Sequence, residues 1–472
     1  MSRLPSIHEN QRDHIAVEPA QTSSEHLVMS KDAANAARLL REGVVWSILG
    51  ALITLGLALF FGELPRVFVS MYIFTTLEPA AVGVELVALL SACMLLRARA
   101  STRWDLILTL PALGPRAIII LSTGTAVFAA IGHFVVYHDQ AQSVDEFMTR
   151  FGAAMLSHGD LLAHIPTQWK PFGLALQPLF TFFSPDGDLW GSPYRPVNAA
   201  LHAIFGFVPG GERFTNPVLA GLSVFLVARI AAQLWPERKD APFVAALLMA
   251  VSAQVLVNGM TYYAMPAHLA FNLAWLLFFL RGRLVGHAIA ALIGVFAVGL
   301  HQVNFHPLFV IPFLTPVLLS RRWPLALFYG AVYAAALVFW VDWYQIALWW
   351  SGVGFTQAAD SGGDNFVHRI WEFSRLPGFA AWLFMSTNFA RFFSWQSVLL
   401  APLAIIGLRS WREAPPIVRQ GVWGLLIGSL PFMFVTPEQG GGWGYRYAHG
   451  LIGNIILLSV FGWIQLVPRE RM

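Results

Sequence analysis

The sequence predicts an all-α polytopic membrane protein with about 12 transmembrane helices, or up to about 14 if short or re-entrant segments are counted. Three observations carry that expectation. Of the 472 residues, 57% are hydrophobic and 12% charged, with a mean hydropathy of +0.60. A soluble domain needs roughly twice that charged share, about 25%, to keep a solvated surface. The apolar residues fall in long runs such as Val218–Leu234 and Leu325–Val341, long enough to cross about 30 Å of hydrocarbon. Finally, the basic residues cluster in short turns between those runs, an orientation signal and not a nucleic-acid footprint.

Taken in order, the apolar runs place spans near 43–61, 80–96, 117–136, 214–234, 241–257, 264–280, 285–300, 305–319, 324–346, 389–408, 418–436 and 448–467. Residues 1–42 read as a disordered cytoplasmic tail, polar and mixed in charge, with the first span as an uncleaved signal anchor. The expected organisation is then a transmembrane core over 43–348 that includes an external loop at 137–194. An external loop at 349–388, a possible lid, and C-terminal transmembrane helices over 389–472 follow. With the N-terminus in the cytoplasm, Arg97, Arg99, Arg103, Arg116, Arg238, Lys239, Arg281, Arg283, Arg321, Arg322, Arg409, Arg412, Arg419, Arg469 and Arg471 all fall inside. The expected location is therefore a cell inner (cytoplasmic) membrane, crossed many times, with both termini cytoplasmic. This holds if Pro171 to Pro209 crosses an even number of times or not at all. Its apolar pieces, 172–183 and 196–208, are each shorter than the ~20 residues of a straight span. The single cysteine, Cys93, permits no intramolecular disulfide.

This orientation gathers the unusual polar material on one face: the loop with Asp139, Asp145 and Glu146, the turns Asn258–Tyr263 and His301–His306, the loop 349–377, and Thr436–Gly450. In the first loop, Ser143 is expected to cap a helix from Val144 to His158 with Asp145 and Glu146 in its first turn. Phe147, Phe151, Met155 and Leu156 recur at helical spacing and give it an apolar face for the membrane interface. An ordinary interfacial helix also carries acids there to satisfy its dipole. Two adjacent carboxylates can do more. One can take a proton from an acceptor hydroxyl as it attacks a sugar carbon, while the other orients the acceptor or holds a divalent metal.

The run VDEFMTRFGAAMLSHGDL resembles the opening of the first external loop in GT-C-fold polytopic membrane glycosyltransferases, the superfamily of protein O-mannosyltransferases and lipid A aminoarabinose transferases. WGSPYRPVNAALHAIFG resembles their Tyr-Pro-Pro segment, with Tyr194 and Pro196 kept and Arg195 where the first proline is usual. ERFTNPVLAGLSVFLVARIAAQLW and NGMTYYAMPAHLAFNLAWLLFFLRG follow the order of the next helices, so the likeness covers roughly 117–320. Many members carry an acid in the turn filled here by Asn258 to Met265, where this chain offers Tyr262, Tyr263 and His268.

The resemblance implies transfer of a sugar from a polyprenyl-phosphate-linked donor to a glycan, lipid or protein acceptor on the external (periplasmic) face. Asp145 matches the general base, with Glu146 beside it. It implies membrane lipids as surroundings, no nucleic acid, and no certain cofactor. A divalent cation (Mg or Mn) stays possible, and the missing acid suggests work without one. No Gly-rich phosphate loop follows a predicted strand, and a lipid-borne donor needs none.

A leaving phosphate calls for positive donors near the interface. Arg446 in GGGWGYRYAHG is the first candidate, flanked by Tyr445 and Tyr447 and close to His449. An aromatic belt with a snorkelling arginine would read the same way. The loop 349–377 offers Asp360, Asp364, His368, Arg369, Glu372 and Arg375, with Ile370, Trp371 and Phe373 to dock it over lipid; Arg369 joins the substrate-binding candidates. His301 and His306 in GLHQVNFHP suggest a substrate lining, since their i,i+5 spacing without a neighbouring carboxylate does not suit a helical metal site. Glu78 and Glu85, near the second span, fit a structural or a lumen-facing role. The competing class is a polytopic secondary transporter or lipid flippase, whose marks are an internal repeat and paired broken helices; no repeat is visible between the halves. A structural scaffold is the blandest alternative.

Overall fold

The computed structural model describes residues 21–62, 69–98, 114–172, 181–354, 378–435 and 440–466. They form a bundle of helices: α1 (Gln21–Gly62), α2 (Glu78–Ala98), α3 (Pro115–Val135), α4 (Val144–Ser157), α5 (Val197–Phe205), α6 (Thr215–Leu234), α7 (Ala241–Ala250), α8 (Ala253–Gly259) and α9 (Met265–Phe279) come first. Then follow α10 (Leu284–Val298), α11 (Phe305–Leu319), α12 (Trp323–Val341), α13 (Trp343–Trp350), α14 (Phe379–Ser394), α15 (Leu400–Arg409), α16 (Pro416–Ser429) and α17 (Ile452–Leu466).

The span count is corrected. Among the described residues six helices are long and apolar enough to cross a membrane, or seven if the bent pair α7–α8 is one span, in place of the expected twelve. The physical reason is length. Helices α9, α10 and α11 have 15 residues each, so each rises about 22 Å, short of about 30 Å of hydrocarbon. Apolar composition does not reveal where a helix stops. The run 241–257 bends by 58° at Ser252, which caps α8 by accepting the Val255 N–H. The run 389–408 breaks between α14 and α15, and α5, at nine residues, covers about 14 Å, so 196–208 is no span. Residues 21–42, expected to lack structure, belong to α1.

Burial separates a centre from a rim. The most apolar window of Arg446–Leu466, which contains α17, is 83% buried inside the protein, while that of Ile73–Leu96, which contains α2, is 17% buried. Rim helices expose Val84, Val87, Met94, Ile120 and Phe128, as lipid-facing surfaces do. At the centre, glycines bring backbones together: a Cβ on Gly462 would overlap the Leu403 carbonyl, so α15 and α17 touch main chain to main chain.

The expected all-helical first loop also holds strands. Antiparallel β1 (Ala163–His164), β2 (Phe182–Phe183) and β3 (Leu189–Gly191) form a small sheet in the order β1-β3-β2. It packs beside α13, with Leu162 and Leu189 against Ala347 and Leu348.

Candidate functional site

The site is built where α4, the turn after α8, the turn after α10 and the glycine-rich turn before α17 meet at one end of the bundle. Ser143 caps α4 by accepting the Glu146 N–H, as the sequence suggests. Of the apolar face expected at the membrane interface, Phe147 is 55% exposed, Phe151 and Leu156 are half-buried and Met155 is buried; Met148, Thr149 and Gly152 are buried beside Met155. Gly152 sets the buried face, because a Cβ there would lie 3.0 Å from the Ala199 Cβ on α5.

The two acids go to different partners. Asp145 Oδ1 accepts the Tyr194 hydroxyl at 2.6 Å, and Oδ2 accepts Arg446 Nη1 at 2.8 Å. Burial alone would raise this carboxyl; the Arg446 charge and the two hydrogen bonds outweigh it and hold it below the ordinary carboxylate range. Glu146 is fully buried, its Oε2 accepting the Tyr262 backbone N–H at 3.0 Å. Desolvation dominates there and pushes its carboxyl up to about 7.

Arg446 reaches Asp145 across 301 positions of sequence because its own turn is rigid. Gly440 and Gly444 sit at positive φ, and a Cβ on either would strike Tyr445 or Gln254. Gln254 Nε2 donates to the Tyr445 carbonyl, and Asn258 Nδ2 donates to the Trp443 carbonyl. Arg446 Nε donates to the Gly441 carbonyl at 2.7 Å, and its guanidinium lies 4.6 Å from the Tyr263 ring centre. The adjoining turn Thr261–Tyr263 is held by Asn216, which donates to the Thr261 and Tyr263 carbonyls, and by Asn198, which donates to that of Tyr262.

Two cavities flank this centre. One, about 560 Å³ counted with its solvent-facing mouth, is lined by Tyr194, Arg195, Asn198, His301, Trp343 and Tyr344 among others. The His301 ring stacks on Tyr194 with centroids 4.5 Å apart, and burial pushes this imidazole down to about 4. The second, about 320 Å³ on the same terms, is lined by His268, Asn272, Phe305, Arg446 and Tyr447. Buried polar atoms without partners in the described structure lie close by: Asn198 Oδ1, His301 Nδ1 and both ring nitrogens of His268. Such groups ask for water or ligand.

Several predicted residues are elsewhere. His306 is fully buried, its ring nitrogens taken by Asn272 Oδ1 and the Tyr333 hydroxyl, so it is a bundle residue and not a cavity lining. Tyr445 and His449 are also fully buried and line neither cavity. Tyr262 contributes its backbone to Glu146 and its hydroxyl to Asp139 at 3.0 Å. Arg369, with the other charged residues of 355–377, lies outside the described residues. Glu78 pairs with buried Arg391 at 2.6 Å.

Sequence reasoning did not foresee the cluster on Asp139. His138 and Asp139 adopt φ of 52° and 58°, which aims the Asp139 carboxylate at His133 Nε2 (3.0 Å), Tyr262 and Arg213 (2.9 Å). Only the histidine ending an apolar run six residues before an acid hints at it.

Among the described residues no group of three or more His, Cys, Asp or Glu could hold a metal. The acidic pair does not fit a divalent cation as it stands, since Asp145 is taken by Arg446 and Tyr194 and Glu146 by a backbone N–H. No family model and no curated protein matches the chain.

Proposed function

We propose that this protein is a membrane glycosyltransferase that moves a sugar from a polyprenyl-phosphate carrier to an acceptor hydroxyl at the external face of an inner membrane. The observation that carries the reading is the Asp145–Arg446 pair, one carboxylate oxygen to one guanidinium nitrogen, with side chains 21% and 17% exposed; Arg446 lines the smaller cavity, and Asp145 is bonded to Tyr194, which lines the larger. Arg446 suits a phosphate by charge and by its forked donors. A donor phosphate competes with Asp145 for Arg446, and the carboxylate released is the base.

The acceptor O–H then gives its proton to Asp145 as the oxygen bonds to the anomeric carbon. The bond from that carbon to the phosphate oxygen breaks, and the phosphate keeps the electron pair, held by Arg446. The depressed proton affinity of Asp145 in its paired state suits this order: it is a weak base until phosphate removes its partner. No step here is routed through a metal ion.

The test is transfer of labelled sugar from polyprenyl phosphate in membranes. Asp145→Asn should lower the rate by about 10²–10⁴-fold; a rate equal to the parent's removes the base assignment. A transporter or flippase reading draws on one feature, the break of 58° between α7 and α8. Counterflow of a polyprenyl-phosphate sugar in proteoliposomes by Asp145→Asn at the parent rate would favour it.

A further inference from the structure

Two arginines near the site, Arg150 and Arg195, face no carboxylate side chain among the described residues; Arg150 donates to the Asp139 backbone carbonyl and lies over the Tyr262 ring, while Arg195 lines the larger cavity. Arg446, Arg213 and Arg391 each face a carboxylate, on Asp145, Asp139 and Glu78. Arg195 has no carboxylate partner among the described residues. Its Nε donates to the Trp340 carbonyl at 2.9 Å, its Nη1 to the Tyr344 hydroxyl at 3.5 Å, and its plane lies 5.1 Å from the Tyr344 ring centre. Those contacts fix the guanidinium against one wall of the larger cavity and leave its Nη2 end without a protein acceptor among the described residues. A part-buried cation with no counter-charge is costly, so the cavity favours an anion there.

The rest of the lining supplies what a sugar ring needs. Trp343, half-buried, offers an aromatic face, whereas the Tyr344 ring is already taken by Phe182 and Arg195. Asn198, 3% exposed, lines the same cavity with its Oδ1 unpartnered, an acceptor for a hydroxyl, and His301 Nδ1 is unpartnered as well. Tyr194, next in sequence to Arg195 and also in the lining, places its hydroxyl on Asp145 at 2.6 Å, so one side chain links the cavity wall to the acid.

We propose that the cavity between Arg195, Asn198 and Trp343 is a binding site for an anionic sugar, with Arg195 holding a carboxylate or phosphate group while the ring lies against Trp343. Calling this ligand the acceptor rests on the transferase reading; the site itself does not. Arg446 then serves the donor's phosphate from the side of the second cavity, and Arg195 selects what arrives opposite it.

The experiment is equilibrium dialysis of the full-length protein in nanodiscs of neutral lipid, at fixed ionic strength, with labelled glucuronate, glucose 6-phosphate and glucose. One of the two anionic probes should bind about tenfold more tightly than glucose, and the tighter of them identifies the group as carboxylate or phosphate. Arg195→Gln should abolish the preference, Arg195→Lys should keep most of it, and Arg446→Gln should leave it in place. Equal binding of all three sugars by the parent protein overturns the proposal, whatever the variants do. So does a preference that survives Arg195→Gln. A preference lost in Arg446→Gln also overturns it, since the anion then lies on Arg446 or bridges both arginines as a diphosphate would. Anion preference with no sugar transfer leaves this site standing and sinks the transferase reading instead.

Discussion

Two arginine–carboxylate pairs touch the same glycine-rich turn and are built in opposite ways. Arg391 on α14 grips both oxygens of Glu78, with Nε at 2.8 and 2.9 Å and Nη2 at 2.6 Å, and also donates to the Gly442 carbonyl. Its side chain is 1% exposed, and it lines neither cavity. Arg446, four residues beyond Gly442, gives Asp145 a single bond, shares it with the Tyr194 hydroxyl, and lines a cavity. A saturated, dry pair has no donor left to exchange. A singly bonded pair at a cavity can trade its carboxylate for another anion. The difference separates a strut from a site more sharply than residue type does, since both are Arg with an acid.

The comparison can be broken most forcefully at the strut. Arg391→Ala leaves Glu78 buried without its counter-charge and should cost about 3–5 kcal/mol, seen as loss of folded protein in detergent-solubilised thermal melts. A variant as stable as the parent would remove the distinction.

Glu146 sharpens the contrast between the two acids of α4. Its carboxyl, raised to about 7 by burial, binds a proton in the folded protein that the unfolded chain releases near its ordinary, lower value. Stability should therefore be fully present below about pH 4.5 and fall as pH rises towards about 7, by up to about 3 kcal/mol. Glu146→Gln should flatten that part of the melting-temperature profile; an unchanged slope would assign it to other groups. The smallest effect belongs to Tyr194→Phe. It removes one hydrogen bond to Asp145, costs about 1 kcal/mol of stability, and should move the acid limb of the transfer–pH profile upward, because the carboxyl loses one of the contacts that depress it.

How much of this the sequence discloses depends on range. The start of α4 is local: a serine, two acids in the next turn and helical spacing are enough to place Ser143, Asp145 and Glu146. The face it packs into the bundle is not, because Gly152 against Ala199 is a matter of fit that apolar spacing does not record. The number of spans is misread because α9 to α11 are apolar throughout yet end after 15 residues. That Asp145 and Arg446 share one end of the bundle follows from alternating turns. That they touch, through Gly440, Gly444 and Gln254, depends on backbone geometry no composition records. The cluster of His133, Asp139, Tyr262 and Arg213 is drawn from three separate segments, and the spacing of His133 and Asp139 is its one local trace.

The exchange of partners at Arg446 is measured most directly by binding of a polyprenyl phosphate without sugar to the parent protein and to Asp145→Asn in nanodiscs. If the carboxylate competes with phosphate for the guanidinium, the variant should bind the lipid phosphate about tenfold more tightly than the parent while losing transfer. Binding that is unchanged or weaker in Asp145→Asn would contradict the exchange, and with it the assignment of Asp145 as a base released by its own substrate.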